Sequence, residues 1–126
     1  MHLQSIRPVL YTSNMEETIA FYTAQLGFIL GEKNDDWGWA SLNKDEVSIM
    51  LALPNEHTPF TKAQFTGSLY FNTDDVEALW SNLKDKVSVC YPIETFDWQM
   101  REFAIYDNNG YVLQFGQNIE YQFPQH

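Results

Sequence analysis

Cysteine is nearly absent: Cys90 is the only one in 126 residues, so no disulfide can form within the chain. Positive charge is scarce as well. Seven Lys and Arg stand against seventeen Asp and Glu, a formal charge of −10, which disfavours nucleic acid and anionic membrane as partners and permits a cationic one. An acidic surface is first of all a solubility device. No apolar run reaches the roughly 18 residues of a membrane span. Met1-His2-Leu3-Gln4-Ser5-Ile6-Arg7-Pro8 lacks the basic start, apolar core and small-residue cleavage site of a secretory signal, so the expectation is a cytoplasmic protein. A nucleophile elbow, a phosphate-cradling glycine loop and a Cys-His pairing around Cys90 are all missing, and Cys90 reads as a core thiol. His2, His57 and His126 fall near a terminus, in a connection and at the last residue, without partners at ligand spacing; they read as surface or tail residues.

What is present is apolar and aromatic: 44% hydrophobic residues, 16% of the chain Phe, Trp or Tyr. A chain of this size buries about two-thirds of its unfolded surface, enough for one compact domain. Its organisation is a repeat. Leu10-Tyr11-Thr12-Ser13-Asn14-Met15-Glu16-Glu17 and Tyr70-Phe71-Asn72-Thr73-Asp74-Asp75-Val76-Glu77 both run from an apolar strand through a capping residue into an acidic first helical turn.

The first module, 1–56, reads as βαβββ. A strand over 5–12 carries Pro8, which confines it to an edge or to a position needing no amide bond. Asn14 with Glu17, or Ser13 with Glu16, has capping-box spacing, and Met15, Ile19, Tyr22 and Leu26 form a helical stripe ending at Gly27. Strands over 28–32, 37–42 and 47–53 are separated by Asn-Asp turns. Residues 57–66, within a polar, proline-containing stretch, form the connection. The second module, 67–117, repeats the pattern: a strand over 68–73, a helix opened by Asp74 with Glu77 and striped by Val76, Leu79, Trp80 and Leu83, then strands over 88–93, 101–107 and 111–116. Asn108-Asn109-Gly110 marks the last hairpin. Residues 118–126 read as a loosely held tail.

Three segments carry a resemblance: Arg7-Pro8-Val9-Leu10 through Ala20-Phe21-Tyr22 to Leu26-Gly27-Phe28; Asp74-Asp75-Val76-Glu77-Ala78-Leu79; and Arg101-Glu102-Phe103-Ala104-Ile105-Tyr106-Asp107-Asn108-Asn109-Gly110. In order and spacing the chain resembles the vicinal oxygen chelate superfamily, which includes glyoxalase I, extradiol dioxygenases, fosfomycin-modifying enzymes and bleomycin resistance proteins. Pro8-Val9-Leu10, Asp35-Asp36 before Trp37, and Arg101-Glu102-Phe103-Ala104 are most similar to the bleomycin resistance branch. The resemblance implies an α+β fold of two βαβββ modules forming curled mixed sheets with a cleft. It also implies a homodimer that sequesters a drug without catalysis.

The enzymes of the superfamily hold a divalent metal with His, Gln or Glu from the first and last strands of each module. Placed by the repeat, those positions are Arg7 and Gly67, Met50 and Gln114. A guanidinium, a missing side chain and a thioether are no ligands for Mg, Mn or Fe(II), which leaves Gln114 alone. The expectation is therefore no metal, no other cofactor and no catalytic residue, although Glu102 could in principle act as a metal-free acid or base. The competing expectation is a metal-dependent enzyme, a glyoxalase-like lyase or isomerase or a dioxygenase, with a displaced ligand set.

What is left is a candidate wall of rings. Trp37 and Trp39 on one strand face, Tyr70 on another, Trp98 after Glu94-Thr95-Phe96-Asp97, and Arg7 and Gln114 on flanking strands are the expected ligand-binding residues. Asp35 and Asp36, with Glu94 and Asp97, add negative charge. Such a surface suits a flat, cationic small molecule of bleomycin type. Trp39, Tyr70 and Trp80 could equally fill the core, Trp80 foremost because it belongs to the helix stripe.

Overall fold

The structure, a computed structural model, describes residues 1–57 and 59–119. The tail expected over 118–126 lies outside the described residues beyond Ile119, and His126 with it. Two compact units divide the chain, Met1–Ala63 and Gln64–His126. Each is a four-stranded mixed sheet with a helix after its first strand, the α+β arrangement expected.

The first unit comprises β1 (Val9–Tyr11), α1 (Met15–Ala20), β2 (Ile29–Asn34), β3 (Trp39–Lys44) and β4 (Val47–Ala52). Its sheet order is β1-β4-β3-β2, with β1 parallel to β4 and the other pairs antiparallel. Asn14 is the cap of α1: its side-chain oxygen accepts from the Glu17 amide at 3.0 Å. The expected single helix to Gly27 changes character after Ala20. Phe21–Gln25 widens into a π-helical turn, which Gly27 ends in the left-handed region at φ +78°, and the Phe28 amide donates back to the Tyr22 carbonyl at 3.0 Å. Tyr22 is fully buried and meets Phe28 edge to face, so the helix is locked by its aromatic stripe. Trp37, expected on a strand, belongs instead to a turn closed by Gly38 N–H on the Asp35 carbonyl, with Gly38 at φ +62°; β3 therefore begins at Trp39.

The second unit comprises β5 (Leu69–Asn72), α2 (Val76–Leu83), β6 (Ser88–Phe96), β7 (Met100–Tyr106) and β8 (Val112–Asn118), in sheet order β5-β8-β7-β6. The helix cap is Asp75, not Asp74. The Asp75 carboxylate accepts from the Ala78 amide at 3.1 Å, while the Gln117 side chain takes the Val76 amide and donates to the Asp74 carbonyl, moving the helix start one residue on. Cys90, expected in the core, lies half-buried on the edge strand β6.

Beneath α2 runs a column of rings: Trp80 on Phe103 at 5.2 Å, Phe103 on Phe115 at 5.3 Å, Phe115 on Phe71 at 5.1 Å. Trp80 is thus half-buried and caps the core through Phe103. These three phenylalanines fix one face of β5, β7 and β8 toward the helix. Strand alternation then turns their neighbours Tyr70, Glu102 and Gln114 to the opposite face.

Candidate functional site

That opposite face carries an acidic residue with almost no exposure. Glu102 is 3% exposed and receives hydrogen bonds on both oxygens. Tyr70 Oη donates to Oε1 at 2.9 Å and Trp98 Nε1 to the same atom at 3.3 Å. Tyr91 Oη donates to Oε2, and Gln114 Nε2 reaches it at 3.4 Å. Gln114 is itself held, its oxygen accepting from the Ser68 hydroxyl and its Nε2 donating to Tyr91 Oη at 2.8 Å. A carboxylate has about four lone-pair sites; here a phenol holds one on each oxygen and a longer N–H contact reaches one more on each.

No cation joins this network. Among the described residues Glu102 makes no ion pair; Arg101, its neighbour in β7, points to the other face and holds Glu77 and Thr95. Burial pushes the Tyr91 hydroxyl up to about 12, assisted by its hydrogen bond to Glu102. Burial likewise holds Tyr70 above the ordinary tyrosine range, with Glu102 again the second cause.

Gly116 makes the reach of Tyr70 possible. A Cβ there would stand 1.9 Å from the Tyr70 hydroxyl, so only glycine leaves the notch over which the ring passes to Glu102. Beside Glu102 opens a pocket of about 380 Å³ lined by Tyr91, Glu94, Phe96, Trp98, Glu102 and Gln114. Phe96 and Trp98 stack at 4.7 Å and 11°, and Tyr91 meets Phe96 edge-on at 6.0 Å. The pocket therefore offers ring faces, two carboxylates and no positive charge.

Of the residues expected from sequence, Tyr70, Trp98 and Gln114 come together around Glu102. The other five belong to the first unit, where three of them find separate partners. Trp39 Nε1 donates to Met50 Sδ at 3.2 Å, Arg7 Nε to Ser48 Oγ at 3.1 Å, and Asp35 pairs with Lys33 at 2.5 Å. Asp36 and Trp37 are exposed in the turn. Tyr91 was not legible as a site residue, and Glu102 was legible only as a possible acid or base. The available signal was one acidic residue in the apolar run Phe103-Ala104-Ile105, on the face opposite Phe103.

One of the four metal positions shifts by one residue. Val9 pairs with Met50 and Tyr70 with Gln114, so Ser68, rather than Gly67, corresponds to Arg7. A guanidinium, a hydroxyl, a thioether and an amide do not make a ligand set for a hard divalent ion. His2 and His57 are exposed, His57 beside Glu56 at 3.6 Å. Among the described residues no three His, Cys, Asp or Glu side chains are grouped so as to hold a metal, and no helix is long and apolar enough to cross a membrane.

Comparison with known proteins agrees with this architecture. The family model described as Glyoxalase/Bleomycin resistance protein/Dioxygenase superfamily matches residues 2–115. No curated protein matches the chain. Among solved structures, a protein of unknown function from Agrobacterium tumefaciens str. C58 is similar at TM-score 0.77 and 21% identity, covering 93% of this chain and 95% of that one. A member of the same superfamily from Sphaerobacter thermophilus has TM-score 0.76 and 20% identity, covering 91% and 98%. TioX from Micromonospora sp. ML1 has TM-score 0.71 and 15% identity, covering 90% and 99%. At these identities the likeness is one of fold.

Proposed function

Since the chain belongs to the Glyoxalase/Bleomycin resistance protein/Dioxygenase superfamily, and its candidate metal positions hold no fitting ligand set, we propose that it binds and sequesters a small, flat, cationic molecule without transforming it. One observation carries this reading: a buried carboxylate, Glu102, without a cationic partner among the described residues, at the edge of a pocket walled by the Phe96–Trp98 stack. A guest cation supplies the missing counter-charge. Its contact with a ring face adds about 0.5–2 kcal/mol, and Glu94 and the overall charge of −10 steer it inward. Bleomycin-type drugs fit this guest chemistry, and action as a cytoplasmic homodimer belongs to the same reading through the family resemblance.

Titration with bleomycin and a panel of flat aromatic cations, followed by calorimetry and Trp fluorescence, tests it. Saturable heat and quenching at micromolar guest, with the guest recovered unchanged, is the expected result. Absence of saturation with every cation, or chemical conversion of a bound guest, would overturn the proposal.

A further inference from the structure

The four contacts on Glu102 fall into two classes, and the division runs through both oxygens. Each oxygen has one firm partner, Tyr70 on Oε1 and Tyr91 on Oε2. Each also has one long one, Trp98 at 3.3 Å on Oε1 and Gln114 at 3.4 Å on Oε2, beyond the usual range for an N–H donor. Trp98 and Gln114 both line the pocket; Tyr70 does not.

Both long contacts are replaceable. Gln114 keeps its 2.8 Å bond to Tyr91 and its bond from Ser68 whether or not it reaches Glu102. Trp98 is 62% exposed, so its indole N–H can turn to water while its ring stays stacked on Phe96. Entering from the pocket, a guest thus finds one weakly held acceptor site on each oxygen of one carboxylate. Two parallel N–H groups on a planar cation match that pair of sites, as they do in any bidentate carboxylate fork.

Resting on the sequestration reading above, we infer that the guest is selected as a fork-type cation, an aryl-amidinium or aryl-guanidinium, which replaces Trp98 and Gln114 on the two oxygens of Glu102 while its ring packs against the Phe96–Trp98 wall. A quaternary aromatic cation has the charge and the ring but no fork. A neutral aryl amide has the shape but no charge.

Three probes separate these features on the wild-type protein: benzamidinium, N,N,N-trimethylanilinium and benzamide, titrated at pH 7 by calorimetry and Trp fluorescence. Benzamidinium should bind at least about tenfold more tightly than either of the others. Equal or tighter binding of trimethylanilinium overturns the fork and leaves the sequestration reading standing; failure of all three to bind overturns both for simple aryl guests. Glu102→Gln, which replaces one acceptor by a donor, should bring benzamidinium down to the level of benzamide. Should that variant not fold, as judged by circular dichroism, Trp98→Phe decides: it keeps the ring and removes the long N–H contact, so benzamidinium should bind within about twofold of wild type or more tightly. A loss beyond about tenfold in Trp98→Phe would show that the indole N–H holds the guest, and would overturn the proposed replacement.

Discussion

The two units are built on one register and finished with different chemistry. Val9 pairs with Met50 in the first, Tyr70 with Gln114 in the second; counting along the same ladders, Trp39 opposite Ala52 corresponds to Glu102 opposite Gly116. In the first unit those positions are closed by an indole donating to a thioether, Trp39 to Met50 at 3.2 Å, a contact between two largely apolar side chains. In the second, the same ladder positions gather a carboxylate, a phenol and an amide. A repeat fixes where side chains stand; the side chains decide whether the place is packing or a site. The small residue opposite shows the cost of the second solution, since Tyr70 can reach Glu102 only where its partner strand has no Cβ.

The strongest way to break this comparison is to make the two small positions alike. Gly116→Ala should force the Tyr70 ring off Glu102 and lower stability by about 1–3 kcal/mol, as overpacking does. Ala52→Gly, the converse change in the first unit, should cost about 0.5–1 kcal/mol through backbone entropy alone. Urea unfolding measures both, and an unchanged midpoint for Gly116→Ala would mean that the notch is not needed. Benzamidinium affinity should fall in the first variant and not in the second.

A second effect appears only at high pH and is read at the phenols around Glu102. Tyr91 in the fold is pushed from the ordinary 10.0 up to about 12, chiefly by burial. Between these values the unfolded chain has released the proton and the folded one has not. The contribution is therefore fully present below about pH 10 and is lost as pH rises toward 12, so stability declines across that window. Tyr91→Phe should lessen the decline while Tyr70 keeps its own share of it, read as urea midpoints at pH 9, 10 and 11. An equally steep decline in that variant would place the alkaline sensitivity elsewhere.

Local signals made much of the fold legible. The capping oxygen of Asn14, the stripe from Val76 to Leu83 and the Asn-Gly hairpin each act within a few residues, and the structure uses all three. Sequence reading missed by one residue where a distant partner intervened: Gln117 takes the amide of Val76, 41 residues away in the chain, and moves the cap from Asp74 to Asp75. The site was harder for the same reason. Glu102 meets Tyr70 across 32 residues and Tyr91 across 11, and the register of β6 on β7 shifts twice around Tyr91, so alternation along the strand does not predict which face that ring takes. Trp37 and Trp98, alike as exposed tryptophans near acidic turns, part company only in the structure: one lies in the turn before β3, the other stacks on Phe96 and touches Glu102.

The smallest effect is expected where the sequence placed negative charge in the first unit. Asp35 was a candidate for steering a cation, but its carboxylate lies against the Lys33 ammonium at 2.5 Å and, chiefly by that hydrogen bond, raises the lysine above its ordinary value. A charge compensated in this way and open to solvent adds little to a guest's field, because water and salt screen it. Asp35→Asn should therefore leave benzamidinium affinity within about twofold of wild type at physiological salt, while Glu94→Gln, which removes a carboxylate from the pocket wall itself, should weaken it several-fold more. If calorimetry ranked the two variants the other way round, the acidic turn of the first unit, and not the pocket of the second, would be the element that attracts the cation.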